Sequence, residues 1–308
     1  MTTAYITHPD CLLHEMGEHH PESPSRLQVI EDALKEQGLF DFLQYHEAPL
    51  ATKEQVELTH DKKYIESIES LSPLRGYYEI DGDTLMNPQS LRAAYLAAGA
   101  NILAVDLVLA EKVENAFCNV RPPGHHAERN QAMGFCFFNN IAVAASYALK
   151  TGLVKKVAII DFDVHHGNGT EHIFLENSQV LICSTFEEAS FPNKPFKTTS
   201  DRIINVPLSP GSHSHDFREG IEREWFPAIE KFKPDMFFIS AGFDAHRNDP
   251  LADLRLGVND FIWVTEKIMY YAERFAQKRI VSTLEGGYNL GALALSATAH
   301  IRTLMHLN

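Results

Sequence analysis

The sequence is sparing with cysteine, tryptophan and positive charge, and each shortage excludes something. Its four cysteines, Cys11, Cys118, Cys136 and Cys183, form no CxxC pair and no other metal-binding spacing, so neither a disulfide framework nor a thiolate metal cluster is expected. Such sparse use suits a reducing compartment. Met1 to Pro9 has neither the basic start nor the apolar stretch of a secretory signal, so a cytoplasmic protein is the expectation. Lys and Arg total 27 against 41 Asp and Glu, a formal net charge of −14, which argues against nucleic acid and anionic membrane as partners. Apolar runs such as Ile141–Leu149 fall well short of a membrane span. Internal repeats, low-complexity blocks and Pro/Ser-rich linkers are lacking as well. The chain therefore reads as one domain over residues 1–308, long enough for a single large core. Nothing in the patterning specifies an oligomeric state.

What is present is an alternation of short apolar runs with longer amphipathic segments. Strands are expected at Ala116–Val120, Val157–Ile160, Val180–Cys183, Ile203–Val206, Met236–Ser240 and Ile280–Leu284. Helices are expected at Ser25–Gln37, Lys62–Ser70, Gln89–Ala110, Asn140–Lys150, Asp216–Phe232, Asn259–Gln277 and Ala292–His306. This order implies an α/β fold with a parallel sheet covered on both faces. Ligands of such sheets sit beyond the carboxyl ends of the strands. Four expected strands are followed there by RPPGHHAERNQAMGFCFFNN, DFDVHHGNGTEH, AGFDAHRNDP and EGGYN. Each delivers His, Asp or Tyr among glycines.

Asp161, Asp163 and His165 alternate, so on an extended segment they share one face, and Asp244 after another strand supplies a further carboxylate. Asp163, His165 and Asp244 would leave an open coordination position, as a catalytic metal ion requires. By itself the D-x-D-x-H string equally suits a helix cap; Asp244 and the paired histidines tip the reading to a metal. His125 and His126 follow a loop stiffened by two prolines, either as exposed imidazoles or as a general acid/base pair. His166 reads as a packed core residue. Tyr288, after a Gly-Gly turn, either packs beneath that turn or aims its hydroxyl at an oxyanion. The aromatics of Gly134–Phe138 and Ser190–Pro192 are either core or the walls of an apolar tunnel. Asp81 and Asp83 suit a turn and a substrate-holding rim equally well. His8, His14 and His19 read as exposed loop histidines rather than a second metal site.

Together HPESPSRL, RPPGHH, GFCFFNN, DFDVHHGNGTEHIF, GFDAHRNDPLADLRL and LEGGYN resemble the motif series of the zinc-dependent histone deacetylases. The likeness is greatest to the bacterial and class II branch, which includes acetylpolyamine amidohydrolases. It runs in the family's order from His20 to Asn289. It implies the arginase-deacetylase fold, a parallel eight-stranded sheet flanked by helices, and hydrolysis of an N-acetyl amide to amine and acetate. By motif position, Asp163, His165 and Asp244 match the zinc ligands. His125 and His126 match the tandem catalytic histidines, Asp161 the carboxylate behind the first, and Tyr288 the tyrosine facing the substrate carbonyl. Phe135 and Phe191 match the aromatic walls, Gly134 the carbonyl that receives the substrate N–H, and Leu251 the tunnel rim. The family also holds potassium. Asp161, Asp163, His165 and Ser184 match its inner site, and Phe174, Asn177 and Val180 an outer, carbonyl-lined one.

One departure stands out. Asn168 occupies the place where class I relatives carry aspartate. A neutral amide stabilises imidazolium less than a carboxylate does, which points to His126 as general base and His125, beside Asp161, as its charged partner. An apolar Leu251 leans toward acyl-lysine over a cationic polyamine as substrate, and the acidic composition suits either. The Asp-His-Asp donor set also admits ferrous iron in place of zinc. Two rival readings are a binuclear manganese ureohydrolase and a non-catalytic acyl-amine sensor. The tandem histidines and the GGY loop argue against the first, and the complete catalytic set against the second.

Overall fold

The computed structural model describes residues 2–192 and 201–307. At its centre lie eight strands: β1 (Thr3–Thr7), β2 (Gln44–Glu47), β5 (Asn115–Cys118), β6 (Val157–Asp161), β7 (Val180–Glu187), β8 (Ile203–Leu208), β9 (Met236–Ala241) and β10 (Ile280–Leu284). They pair in parallel throughout, in the spatial order β2-β1-β5-β10-β9-β6-β7-β8. The inner strands β5, β6, β9 and β10 are buried at every position. That is why they read as continuous apolar runs rather than as alternating ones. All six expected strands are present; that at Ala116–Val120 lies at Asn115–Cys118, so Asn119 and Val120 open the following loop. Two further strands, β1 and β2, carry no comparable apolar run. The edge strand β2 is mostly exposed and reads QYHE.

Helices α1 (Ser25–Glu36), α3 (Lys62–Leu71), α4 (Ser90–Leu109), α5 (Asn140–Lys150), α7 (Ser214–Phe232), α8 (Val258–Phe275) and α9 (Leu290–Leu304) match the expected set to within a few residues at either end. Two short ones were not expected from periodicity: α2 (Lys53–Val56) and α6 (Asn168–Phe174). Helix α4 packs on α5, β5 and β10, while α1 and α8 each pack on α9. By length and composition α4 is apolar enough to cross a membrane, which a search for unbroken apolar runs overlooks. It is 72% buried within the fold and serves as a core helix. A separate two-stranded antiparallel hairpin, β3 (Tyr78–Glu79) with β4 (Leu85–Met86), carries Asp83 in its turn.

The strand order decides where chemistry can occur. The strands β5, β10, β9 and β6 are consecutive neighbours, so the four glycine-rich loops that follow them converge on one stretch of the sheet edge.

Candidate metal centre and catalytic site

Asp163 and His165 leave the end of β6, and Asp244 the end of β9. One ligand atom from each lies within 4.8 Å of the others, and all three side chains are buried. Backbone N–H groups hold the carboxylates in place. His165 N donates to Asp163 Oδ1 at 2.8 Å, Gly286 N to Asp163 Oδ2 at 2.8 Å, and Val164 N to Asp244 Oδ1 at 2.9 Å. The second oxygen of Asp244 accepts no hydrogen bond among the described residues, although His165 Nδ1 lies 3.3 Å away. A buried carboxylate oxygen left in that state is costly without a cation beside it, so the donor set fits a divalent ion. A Cβ on Gly286 would fall 1.9 Å from Asp244 Oδ2; the glycine lets the loop after β10 pass against the carboxylates.

Two of the three groups that would hold the ion are more basic than usual. Burial alone would depress His165, but its contact with Asp163 and the nearby Asp244 carboxylate outweigh that and lift it to about 10. Burial, followed by the charge of Asp163, raises Asp244 to about 7. An incoming metal must compete with protons at both groups.

His125 donates from Nδ1 to Asp161 Oδ2 at 3.0 Å and presents Nε2 3.7 Å from Asp163 Oδ1. Burial opposes its charge, yet the combined fields of Asp163 and Asp161 hold its pKa well above the imidazole range. His126 behaves oppositely. Burial first, then the positive charges of His125 and His165, push it well below that range. Its Nδ1 lies 2.8 Å from Asn168 Oδ1. The two rings sit 4.0 Å apart between centroids. One is held charged and the other neutral.

A cavity of about 500 Å³ opens above this floor. Its lining includes His126 and His165 below, Gly134, Phe135, Phe191 and Tyr288 around it, and His20, Asp83 and Leu251 toward the rim. Phe135 has φ 69°, a left-handed conformation that costs a bulky residue about 1–3 kcal/mol and persists where the surroundings enforce it. A Cβ at Gly134 would meet the His126 and Phe191 rings at 2.6 and 2.8 Å, so this wall closes only on glycine. The five expected substrate-contacting positions, Gly134, Phe135, Phe191, Leu251 and Asp83, thus share one cavity with His126, His165 and Tyr288.

One reading, that of His14, needs correction, and two alternatives left open are resolved. Phe137 and Phe138 are fully buried in a core cluster with α4 and take no part in the cavity wall. His14 is buried rather than exposed, with Nδ1 2.7 Å from Ser90 Oγ and Nε2 3.4 Å from Glu22. Asp81 and Asp83 divide the roles left open between them. The Asp81 carboxylate accepts from Asp83 N and Thr84 N and so makes the turn, while Asp83 faces the cavity. His166 packs in the interior on Phe186, with Nε2 2.9 Å from Glu171.

Several supporting residues escaped the sequence reading. Arg26 donates from Nε to Gly287 O at 2.7 Å, donates also to Glu285 O, and lies 5.0 Å from the centroid of the Tyr288 ring. Asp249 accepts from Tyr288 N at 2.7 Å and Asn289 N at 3.2 Å. Glu285 accepts from Gly124 N and His125 N, tying the GHH loop to β10; burial raises its carboxyl to about 7. All three stand inside the quoted motifs, which was the available signal, but their partners lie up to 261 residues away in sequence.

At the two expected potassium positions the surroundings differ. Ser184, opposite Asp161 in the register of β6 and β7, buries an Oγ with no hydrogen-bond partner among the described residues, which fits an inner cation. At the outer position the carbonyl of Asn177 already accepts from Val180 N at 3.3 Å and from the guanidinium of Arg202.

A parallel sheet that gathers two carboxylates, an imidazole, a tandem histidine pair and a tyrosine-bearing loop at one cavity floor defines a metal-dependent hydrolase. Comparison with known proteins agrees: the histone deacetylase domain model matches residues 20–304. The histone deacetylase-like amidohydrolase of Pseudomonas aeruginosa is 36% identical over 98% of this chain and 86% of its own. A probable deacetylase of Archaeoglobus fulgidus is 35% identical over 95% and 83% of the two chains. The crystal structure of the HDA15 HD domain superposes with a TM-score of 0.92 at 35% identity, over 99% of this chain and 88% of that one. The chain belongs to the histone deacetylase family and has its arginase-deacetylase fold.

Proposed function

We propose that this chain is a zinc-dependent deacetylase that removes acetyl groups from lysine side chains of peptides or proteins. The observation that carries the substrate class is the cavity. Phe135 and Phe191 line it, and so does His165 of the Asp163–His165–Asp244 group. Two aromatic rings suit the apolar stem of an extended acyl-amine. At the rim Leu251 is 38% exposed and offers no charge to a polyamine tail. The Asp83 carboxylate, which also lines the cavity, would accept from a peptide backbone or from an ammonium group.

A divalent ion at this group supplies a Lewis acid that polarises the amide carbonyl and acidifies water. The residues do the rest. Neutral His126 takes the proton of the attacking water as that oxygen bonds to the carbonyl carbon. Tyr288 donates its O–H to the developing oxyanion, and cationic His125 stabilises the added negative charge. The C–N bond then breaks as His126 returns the proton to the nitrogen, leaving amine and acetate. Gly134 O, which also receives the Cys136 thiol at 3.2 Å, accepts the substrate N–H.

Asp161, the further carboxylate on that face, is turned to His125. That supports one catalytic ion per chain over the paired metals of a ureohydrolase. Zinc is proposed, with ferrous iron as the competing ion for so oxygen-rich a donor set. The orphaned Ser184 Oγ supports an inner potassium. An outer one at Phe174, Asn177 and Val180 would share the Asn177 carbonyl with Arg202. Four free cysteines, all buried, support a cytoplasmic setting.

The substrate class is tested by acetate release from acetyl-lysine peptides and from acetylated polyamines in parallel. Peptides are expected to be turned over at least tenfold more efficiently, one extended contact set being worth roughly 1.4 kcal/mol or more. The reverse preference would move the chain to small-molecule amines. Binding of acetyl-lysine with no acetate from either would favour a sensor.

A further inference from the structure

We infer that Glu128 is a positioning residue for His126, acting through the side-chain amide of Asn168; this rests on the deacetylase reading above, with His126 as general base. Asn168 opens α6. Its Oδ1 lies 2.8 Å from His126 Nδ1, and its Nδ2 lies 2.8 Å from Glu128 Oε1. The other neighbours of that amide nitrogen are His126 O and Met133 Sδ, each at 3.4 Å. Among the described residues, each hydrogen-bond partner of Nδ2 is thus an acceptor, and the charged one is nearest.

This matters because a primary amide has two nearly isosteric orientations. Turned by half a rotation, Asn168 would point N–H groups at His126 Nδ1. The imidazole would then have to accept there and carry its proton on Nε2, the nitrogen that must be free to take one from water. A carboxylate cannot donate, so Glu128 selects the orientation with oxygen toward His126. His126 is thereby fixed as the Nδ1–H tautomer with the Nε2 lone pair toward the cavity. An aspartate at position 168 would impose the same tautomer directly but would also stabilise the imidazolium and retain its proton. The Asn168–Glu128 pair keeps the orientation while setting the charge one residue farther back.

The backbone fixes this geometry. A Cβ on Gly169 would lie 2.3 Å from Ala127 O, so the start of α6 is pressed against the segment carrying His126 and Glu128. Asn139 Nδ2 bridges Ala127 O and Thr170 Oγ1 at 3.3 and 3.0 Å. His60 Nδ1 lies 2.9 Å from Glu128 O. Beyond Asn168, the second oxygen of Glu128 is 3.6 Å from His172 Nδ1.

The test uses the zinc-loaded full chain carrying Glu128→Ala or Glu128→Gln, each alone and combined with Asn168→Ala. Glu128→Ala is expected to lower kcat about tenfold, a part of the full contribution of a general base, with KM within about twofold. Glu128→Gln keeps an oxygen that accepts from Asn168 Nδ2 and should recover at least a third of kcat. In the Asn168→Ala background, losing Glu128 should cost less than about twofold, because the intermediary is gone. Unchanged kcat in Glu128→Ala, an equal fall in both backgrounds, or a glutamine variant as slow as the alanine one would each overturn the inference. The tautomer is also read without turnover, from the ¹⁵N shifts of His126. Wild type should show protonated Nδ1 alone, and Glu128→Ala a mixture. A chain that releases no acetate but shows that change would sink the deacetylase reading and keep this one; an unchanged mixture in both proteins would do the opposite.

Discussion

Tyr288→Phe is expected to lower kcat for acetate release by roughly 10²–10³ while KM stays within about threefold, the loss typical of one oxyanion donor. The substitution removes one oxygen and leaves the ring in place. Arg26 would still lie beneath that ring, and Asp249 would still hold the backbone N–H of residue 288. Burial, only partly offset by Arg26, holds the phenol well above its ordinary pKa. Tyr288 therefore remains a proton donor across the working pH range. Because an amide oxygen gains charge only as water adds to the carbonyl, the hydroxyl contributes mainly in the transition state, and the loss should fall on kcat. Steady-state acetate release with the metal content of each sample measured alongside gives the answer. A fall in KM-dependent binding with kcat intact would place the hydroxyl on the ground state instead.

The second large effect is expected at the tandem histidines, and it is asymmetric. His126→Ala should cost about 10²–10⁴ in kcat, the range for a general acid/base. His125→Ala should cost less, because its removal takes away a nearby charge and leaves the base in place. The pH profile follows with its sign. Turnover needs neutral His126, whose pKa burial and its cationic neighbours depress, so the acidic limb of kcat/KM should lie below the ordinary imidazole value of 6.5. It needs protonated His125, whose pKa Asp163 and Asp161 raise above that value, so activity should decline only well on the alkaline side. If His125→Ala abolishes turnover and His126→Ala keeps most of it, the roles are exchanged.

Much of this site was legible before any fold was known, for a physical reason. The ligands and bases sit directly after buried strands, so each loop reads as a short contiguous string: Asp161, Asp163 and His165 in one, His125 and His126 in another. The spacing of two suggested one face of an extended segment, but β6 ends at Asp161 and the chain bends after it: Asp163 and His165 gather with Asp244, while Asp161 turns to His125. What the strings do not carry is long-range pairing. The neighbour order β5-β10-β9-β6, the reach of Arg26 to Gly287 across 261 positions and the grip of Glu285 on the GHH loop depend on how the sheet is wound. Burial was the other thing the strings left open. Phe137 and Phe138 look like loop aromatics in sequence but face the core, because Asn139 already caps α5 and the chain has turned inward. The edge strand β2 gave no signal, since an exposed edge asks for no apolar run.

The central claim, that catalysis depends on an ion held by Asp163, His165 and Asp244, is tested most directly by stripping the protein of metal. It is then titrated with zinc at several pH values while acetate release is followed. Turnover should be absent in the stripped protein and return in proportion to occupancy, saturating at one catalytic ion per chain. Affinity should tighten with pH, because binding displaces protons. The slope should be about tenfold per unit for each proton released, since both Asp244 and His165 are raised above their ordinary values. Full acetate release from the stripped protein, or zinc affinity that does not change with pH, would contradict the account.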